Sequence, residues 1–310
     1  MNKLEANISL LIITFFAAVQ YVFLAAVPEN ISHFAFLSVT NFVGFLIMLA
    51  FFFNELERLD FSQIKQSIIL SSELIIFNLF LLRGTQGIGA TTTAAVLSTY
   101  FVFIAILNVI IFKLFPDRYQ KAAIIFILIG LFFLMDARVK TLFDVHVLYL
   151  IIANIAFAAF IMSTGHYAST SNPSILALGQ TLFCFLGALF LWAVEVIFFE
   201  GSFKLPSDKN FWSSVIFISF FIRGVYGIMQ IYAQRYTSAL NVSMIFSSEI
   251  IMTMFASPFL ARLFDVEAEE ITGMRVTGAV IMVFGLLMTE PDFFKFVSKL
   301  FSRSKEAANK

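Results

Sequence analysis

The stretch FFIRGVYGIMQ, Phe220 to Gln230, sets an arginine in the middle of an apolar run. Two acids stand in similar surroundings, Glu73 in IILSSELIIFNLF and Glu249 in MIFSSEIIMTMF. A charge at the centre of a bilayer costs about 2.5–3.5 kcal/mol on insertion scales, and less when it faces a bundle interior and finds a partner there. Three such charges on three apolar segments predict an internal polar site. Arg223 could hold a carboxylate or phosphate, or it could neutralise Glu73. Two acids and one base leave a carboxylate over, and Glu249 is the candidate to exchange a proton or pair with a cation. The competing reading is an Arg223–Glu73 pair that only fixes helix packing.

Helical spacing gives each charge company. Arg223, Tyr226, Gly227, Gln230 and Gln234 recur at three- and four-residue steps, which places them on one stripe. Asn241, Ser248, Glu249 and Thr253 share one broad face of the next apolar segment. The expected binding set is Glu73, Tyr100, Arg223, Tyr226, Gln230 and Glu249, in a cavity walled by aromatic side chains. Gln20, Tyr21, Asn41, Asn154 and Gln180 are further interior polar candidates, expected to hydrogen-bond between helices.

The segments that must carry these residues are set by composition. The 310-residue chain is 60% hydrophobic and 13% charged, against about 25% charged residues in soluble domains. A polytopic membrane protein is expected. Ten runs approach the length of about 20 residues that spans a bilayer. They cover approximately 8–27, 34–53, 66–83, 90–112, 121–136, 147–165, 175–199, 211–232, 239–262 and 273–289. Uniformly apolar runs of this length are helices, not alternating barrel strands. The first run ends at Pro28-Glu29-Asn30, not at a small-residue cleavage site, so it is expected to stay as a transmembrane helix.

With the N-terminus in the cytoplasm, cytoplasmic segments hold twelve Lys and Arg and exterior segments seven. That bias predicts both termini inside. KFVSKLFSRSKEAANK reads as a basic tail for the cytoplasmic lipid surface. Pro258 predicts a kink in the ninth helix. Glu195 is expected to snorkel to the exterior interface, and His33, His146 and His166 to be solvated at helix ends.

Several functions are excluded by what the chain lacks. Zero formal net charge gives nucleic acid no hold. Three His and a single Cys184 cannot build a Cys/His metal cluster or a disulfide framework; Cys184 itself reads as a small buried or lipid-facing residue. No Walker A loop, His-Glu-x-x-His or Gly-x-Ser-x-Gly occurs. No enzymatic activity and no cofactor are expected. The expected partners are a small-molecule substrate and membrane lipids, with oligomeric state open.

The chain also resembles itself. AAVLSTYFVFIAILNVIIFKLF, Ala94 to Phe115, overlays SMIFSSEIIMTMFASPFLARLF, Ser243 to Phe264, without a gap. Carried back, the same offset puts Glu73 opposite Ile222, beside Arg223, and sets Glu249 opposite Tyr100. Five helices per half would invert the second half in the membrane, a recurring secondary-transporter design with its site at the midplane. The expected fold is all-α, with ten transmembrane helices as two inverted five-helix repeats. Residues 1–140 would form the first, and 141–310 the second plus the basic tail.

YTSALNVSMIFSSEIIMTMFASPFLARLF followed by EITGMRVTGAVIMVFGLLM resembles the closing helices of the EamA-type drug/metabolite transporter superfamily. Glu249 matches the family's glutamate ahead of an apolar run, Glu270-Ile271-Thr272 its turn, and Gly278 and Gly285 its two helix glycines. Ile250 departs from the pattern, where a proline commonly follows the glutamate. The resemblance implies a secondary transporter that moves a small organic metabolite, an amino acid, nucleoside or related solute, by alternating access, with coupling to protons open. A lipid flippase or a non-transporting scaffold is the alternative. The short loops and tails point to a multi-pass protein of a bacterial cytoplasmic membrane.

Overall fold

The computed structural model describes residues 3–58, 60–113, 115–134, 144–199, 202–237, 239–264 and 270–287. The basic tail and the acidic turn near residue 267 lie outside them. Within the described residues the secondary structure is entirely helical. The elements are α1 (Lys3–Ala25), α2 (His33–Phe52), α3 (Phe61–Ile88), α4 (Ala90–Leu97), α5 (Tyr100–Phe112), α6 (Arg118–Leu134), α7 (Val145–Thr170) and α8 (Pro173–Phe198). They continue with α9 (Lys209–Phe217), a π-helical stretch (Ile218–Tyr226), α10 (Gly227–Gln234), α11 (Ala239–Phe246), α12 (Glu249–Ala261) and α13 (Gly273–Leu287). Among the described residues seven helical spans are long and apolar enough to cross a membrane, and three shorter apolar helices accompany them.

Loop residues fix where the helices begin. Asp60 and Gln63 form a reciprocal capping box at α3. Asn172 accepts from the Ser174 amide ahead of Pro173 at α8, and Asp208 accepts from Phe211 at α9. Asp144 caps α7 through the His146 amide and also holds the His146 ring at 2.7 Å. Both contacts keep the Asp144 carboxyl below its usual range. His33 likewise meets Gln86 at 2.9 Å. These two helix-end histidines are tied into the fold, whereas His166 is exposed as expected.

Two runs expected as single helices are broken. Residues 90–112 divide at Ser98-Thr99 and residues 239–262 at Ser247-Ser248, positions made equivalent by the ungapped overlay. The cause is the same in each. Ser98 and Thr99 hydroxyls donate to the carbonyls of Ala94 and Val96, and Ser247 and Ser248 to those of Ser243 and Ile245. Adjacent hydroxyls that compete for backbone acceptors loosen a helix. By contrast, α12 runs through Pro258 as one helix.

Helix packing is nearly unchanged when the halves are exchanged. α3 packs on α7 as the α9–π–α10 span packs on α1, and α3 on α8 as that span packs on α2. α4 and α5 meet α7 as α11 and α12 meet α1, while α6 meets α13 and α2 meets α8. The α6–α13 pair is backbone to backbone. A Cβ on Gly278 would lie 2.6 Å from the Gly130 carbonyl, so only glycine permits that approach.

Candidate functional site

A cavity lies among α1, α2, α3, α7, α8, the π stretch and the ends of α4, α10 and α12, near the middle of the spans. Its lining, aromatic walls with a few polar groups, suits a small-molecule ligand. Phe77, Phe157, Phe160 and Tyr226 line it. Phe77 stacks on Phe157 at 4.5 Å, and Tyr226 packs against Phe246 at 5.6 Å, so these rings are fixed by one another.

Arg223 projects into the cavity from the π stretch. π turns inside α-helices occur frequently at functional sites, because the extra residue re-aims the side chains around it. Room for Arg223 comes from Gly44 on α2: a Cβ there would stand 2.3 Å from the Arg223 Cβ. The Arg223 Nη2 donates to Asn78 Oδ1 at 2.9 Å, and Asn78 in turn donates to the Leu74 carbonyl at 2.6 Å. Arg223 Nε has no partner among the described residues. The guanidinium is held on one side and open on another.

Glu249 occupies a different part of the cavity. It begins α12 immediately after the Ser247-Ser248 break and is 4% exposed. The Tyr21 hydroxyl donates to its carboxyl, with Tyr100 and Tyr226 close by. Around the walls, Asn41 Oδ1, Gln180 Oε1 and Gln230 Nε2 are buried and unpartnered among the described residues. Asn41 donates to Leu37 O at 2.8 Å, which fixes its free atom as the acceptor. The cavity thus presents one cation, one acid, and amides that offer both donors and acceptors.

Of the six residues expected at the site, the structure brings Arg223, Tyr226, Gln230 and Glu249 together. Glu73 and Tyr100 do not line the cavity, although Tyr100 stays close to Glu249. Glu73 accepts from Ser163 of α7 at 2.8 Å and does not line the cavity. Asn78, five residues on and so turned away around α3, takes the place opposite Arg223. Tyr100 is fully buried and donates to the Ser243 carbonyl at 2.8 Å, which ties the two helix breaks together. Asn154 is also structural, donating to Val96 O and Thr99 Oγ1 at 2.8 and 2.9 Å. Glu195 accepts from Ser32, the cap of α2 in the loop that follows α1.

Sequence reasoning missed Asn78, Thr181 and Cys184 as lining residues. Asn78 had a signal, a lone amide in LIIFNLF five residues after the charge at the helix centre. Cys184 had none.

Long apolar helices around a polar internal cavity define a multi-pass membrane transporter fold. The chain matches the EamA-like transporter family twice, over residues 4–136 and 145–290, and belongs to it. It is 23% identical over 290 residues to a protein of Archaeoglobus fulgidus described as an uncharacterized transporter, covering 93% of this chain and 86% of the relative. A crystal structure of a 12% identical protein has the same fold, with a TM-score of 0.63 over 94% of this chain and 97% of that one.

Proposed function

We propose that the protein is a secondary transporter that carries a small organic solute through this cavity by alternating access. Residues 1–140 and 141–310 act as two inverted five-helix halves, ten transmembrane helices in all, with both termini at the cytoplasmic face of a bacterial membrane. The solute bears a carboxylate or phosphate for Arg223 and hydrogen-bonding groups for Asn41, Gln180 and Gln230. Amino acids and nucleosides with acidic substituents have this chemistry. Glu249 faces a solute amine or exchanges a proton as the cavity changes sides.

One observation carries the reading. Among the described residues Arg223 is held by an amide, not neutralised by a carboxylate, and its Nε is unpartnered in the lining of the cavity. A purely structural arginine would be expected to have its donors satisfied.

The test is a thermal-shift screen of purified protein against amino acids, nucleosides, sugar phosphates and amines, with Arg223→Gln beside wild type. A ligand that binds only the folded state raises Tm by mass action. Acidic solutes that stabilise wild type but not a folded Arg223→Gln variant support the proposal. Equal stabilisation of both removes Arg223 from the site, and failure of every solute class turns attention to lipid substrates.

A further inference from the structure

Glu73 has a position of its own. It lies near the middle of the 28-residue α3, where the bilayer is most apolar. On α3 its neighbours Ser72 and Ile76 are exposed, as is Ile155 on the facing α7. This strip of the α3–α7 seam therefore lies at the outer surface of the bundle, with Glu73 itself half-buried in it. Ser71, two residues earlier and on the opposite side of the helix, points inward to the Gln180 carbonyl at 2.9 Å. Glu73 itself does not line the cavity, although Leu74 and Phe77 beside it on α3 do.

Its partners are few. Ser163 donates to Oε1 at 2.8 Å, while Oε2 is buried without a partner among the described residues. On α7, His166 and Tyr167 stand about one turn from Ser163, and His146 and Tyr149 lie at the opposite end of that helix; the other titratable groups on the elements around α3 are engaged elsewhere or distant. On α8, Cys184 meets the Ser71 carbonyl; on α1, Tyr21 serves Glu249; on α2, His33 meets Gln86. Arg223 is taken by Asn78. α4 carries no titratable side chain, and Lys65 and Arg83 of α3 itself lie more than two turns from Glu73. Glu5 is at the far start of α1. A carboxylate without a cation is costly at this depth, whereas a neutral acid can donate or shed a proton.

Polar side chains lie toward one end of the same seam. His166, one turn from Ser163, is exposed, and beyond it Ser171 donates to Gln66 Oε1 at 2.7 Å. Gln66 is two turns before Glu73 on the same face of α3. Polar groups therefore stand at one end of the seam, about two helical turns from the carboxyl.

We propose that Glu73 is a proton-binding site on the bilayer-facing α3–α7 seam, separate from the central cavity. The proton arrives along the Gln66–Ser171 and His166 side and resides on the carboxyl that Ser163 orients. This site is independent of which solute, if any, the cavity carries.

Protonated carboxyls in lipid react with dicyclohexylcarbodiimide. The acid O–H adds across one C=N bond, and the O-acylisourea rearranges to a stable N-acylurea with no atom lost. Purified protein in liposomes is treated with this reagent or with a water-soluble carbodiimide, then mapped by peptide mass spectrometry. The expected result is an adduct on Glu73 from the lipophilic reagent alone, declining from weakly acidic to weakly alkaline buffer, and lost in a folded Glu73→Gln variant. No adduct on Glu73, equal labelling by both reagents, or labelling that does not change with pH overturns the proposal. The wild-type mapping reads the site even where the variant fails to fold. No transport is measured, so a failed solute screen and a failed labelling are separate outcomes.

Discussion

Arg223 of the π stretch and Asn78 of α3 are joined by a single hydrogen bond of 2.9 Å from Nη2 to Oδ1. The cavity's cation is therefore positioned by a neutral group and keeps its charge for a ligand. Losing one member of a buried charge pair costs about 2–5 kcal/mol, upward of about thirtyfold in affinity. Arg223→Gln is expected to weaken binding of acidic solutes by that order. Asn78→Asp is the sharper variant, because it supplies an internal carboxylate to the same guanidinium. Its Tm should hold or rise while affinity for acidic solutes falls, measured by calorimetry. Unchanged affinity in Asn78→Asp would show that the free side of Arg223 is not where the ligand sits.

Gly44 and Arg223 are in contact so close that a methyl group cannot enter. Gly44→Ala would place a Cβ 2.3 Å from the Arg223 Cβ, the root of the side chain and not its flexible end. Overpacking of this kind costs about 1–3 kcal/mol. A lower Tm and weaker solute binding are expected together. Gly165→Ala is the matched control, since a Cβ there meets nothing within 4 Å. Replacing a helical glycine by alanine stabilises by roughly 0.5–1 kcal/mol, so Gly165→Ala should match or exceed wild type in Tm. A Gly44→Ala protein as stable as wild type would mean that α2 and the π stretch can move apart.

These contacts also explain what the sequence could and could not disclose. The apolar runs carry the helices because length and hydrophobicity alone decide which segments enter a bilayer. Arg223, Tyr226, Gln230 and Glu249 were legible because polar residues inside such runs usually face the bundle interior. The Glu73–Arg223 pairing was not. The overlay aligned them within one residue, but the π stretch alters which face of that span looks inward, while α3 stays α-helical. Nothing in FFIRGVYGIMQ announces a π turn. The breaks at Ser98-Thr99 and Ser247-Ser248 were written in the paired hydroxyls, yet such pairs also occur in unbroken helices, as Ser71-Ser72 does in α3.

Tyr100 and Tyr226 should separate stability from binding. Tyr100 is fully buried, and its hydroxyl donates to Ser243 O where the two broken helices meet. Tyr226 lines the cavity. Removing a buried hydrogen bond costs about 0.5–1.5 kcal/mol. Tyr100→Phe is expected to lower Tm while leaving solute Kd near wild type. Tyr226→Phe is expected to do the reverse, with a small change in Tm and a measurable loss of affinity. If Tyr100→Phe changes Kd as much as Tyr226→Phe does, the helix breaks take part in binding and are not only scaffold.

Cys184 offers a direct view of the cavity, because it is the chain's single cysteine and stands beside Arg223 in the lining. Thiol reagents small enough to enter should modify wild-type protein at this one position, without any engineered cysteine. The neighbouring guanidinium attracts anions, and the attraction is strong where solvent screening is low. Anionic methanethiosulfonates are therefore expected to react faster than cationic ones of similar size. Arg223→Gln should erase that preference while leaving the slower, neutral reagents unaffected. A solute bound between Arg223 and Gln180 would cover the thiol, so saturating ligand should slow modification in proportion to occupancy. The rate is followed by intact-protein mass. Equal rates for anionic and cationic reagents in wild type would place the guanidinium's charge out of reach of incoming ligands, and with it the role given to Arg223.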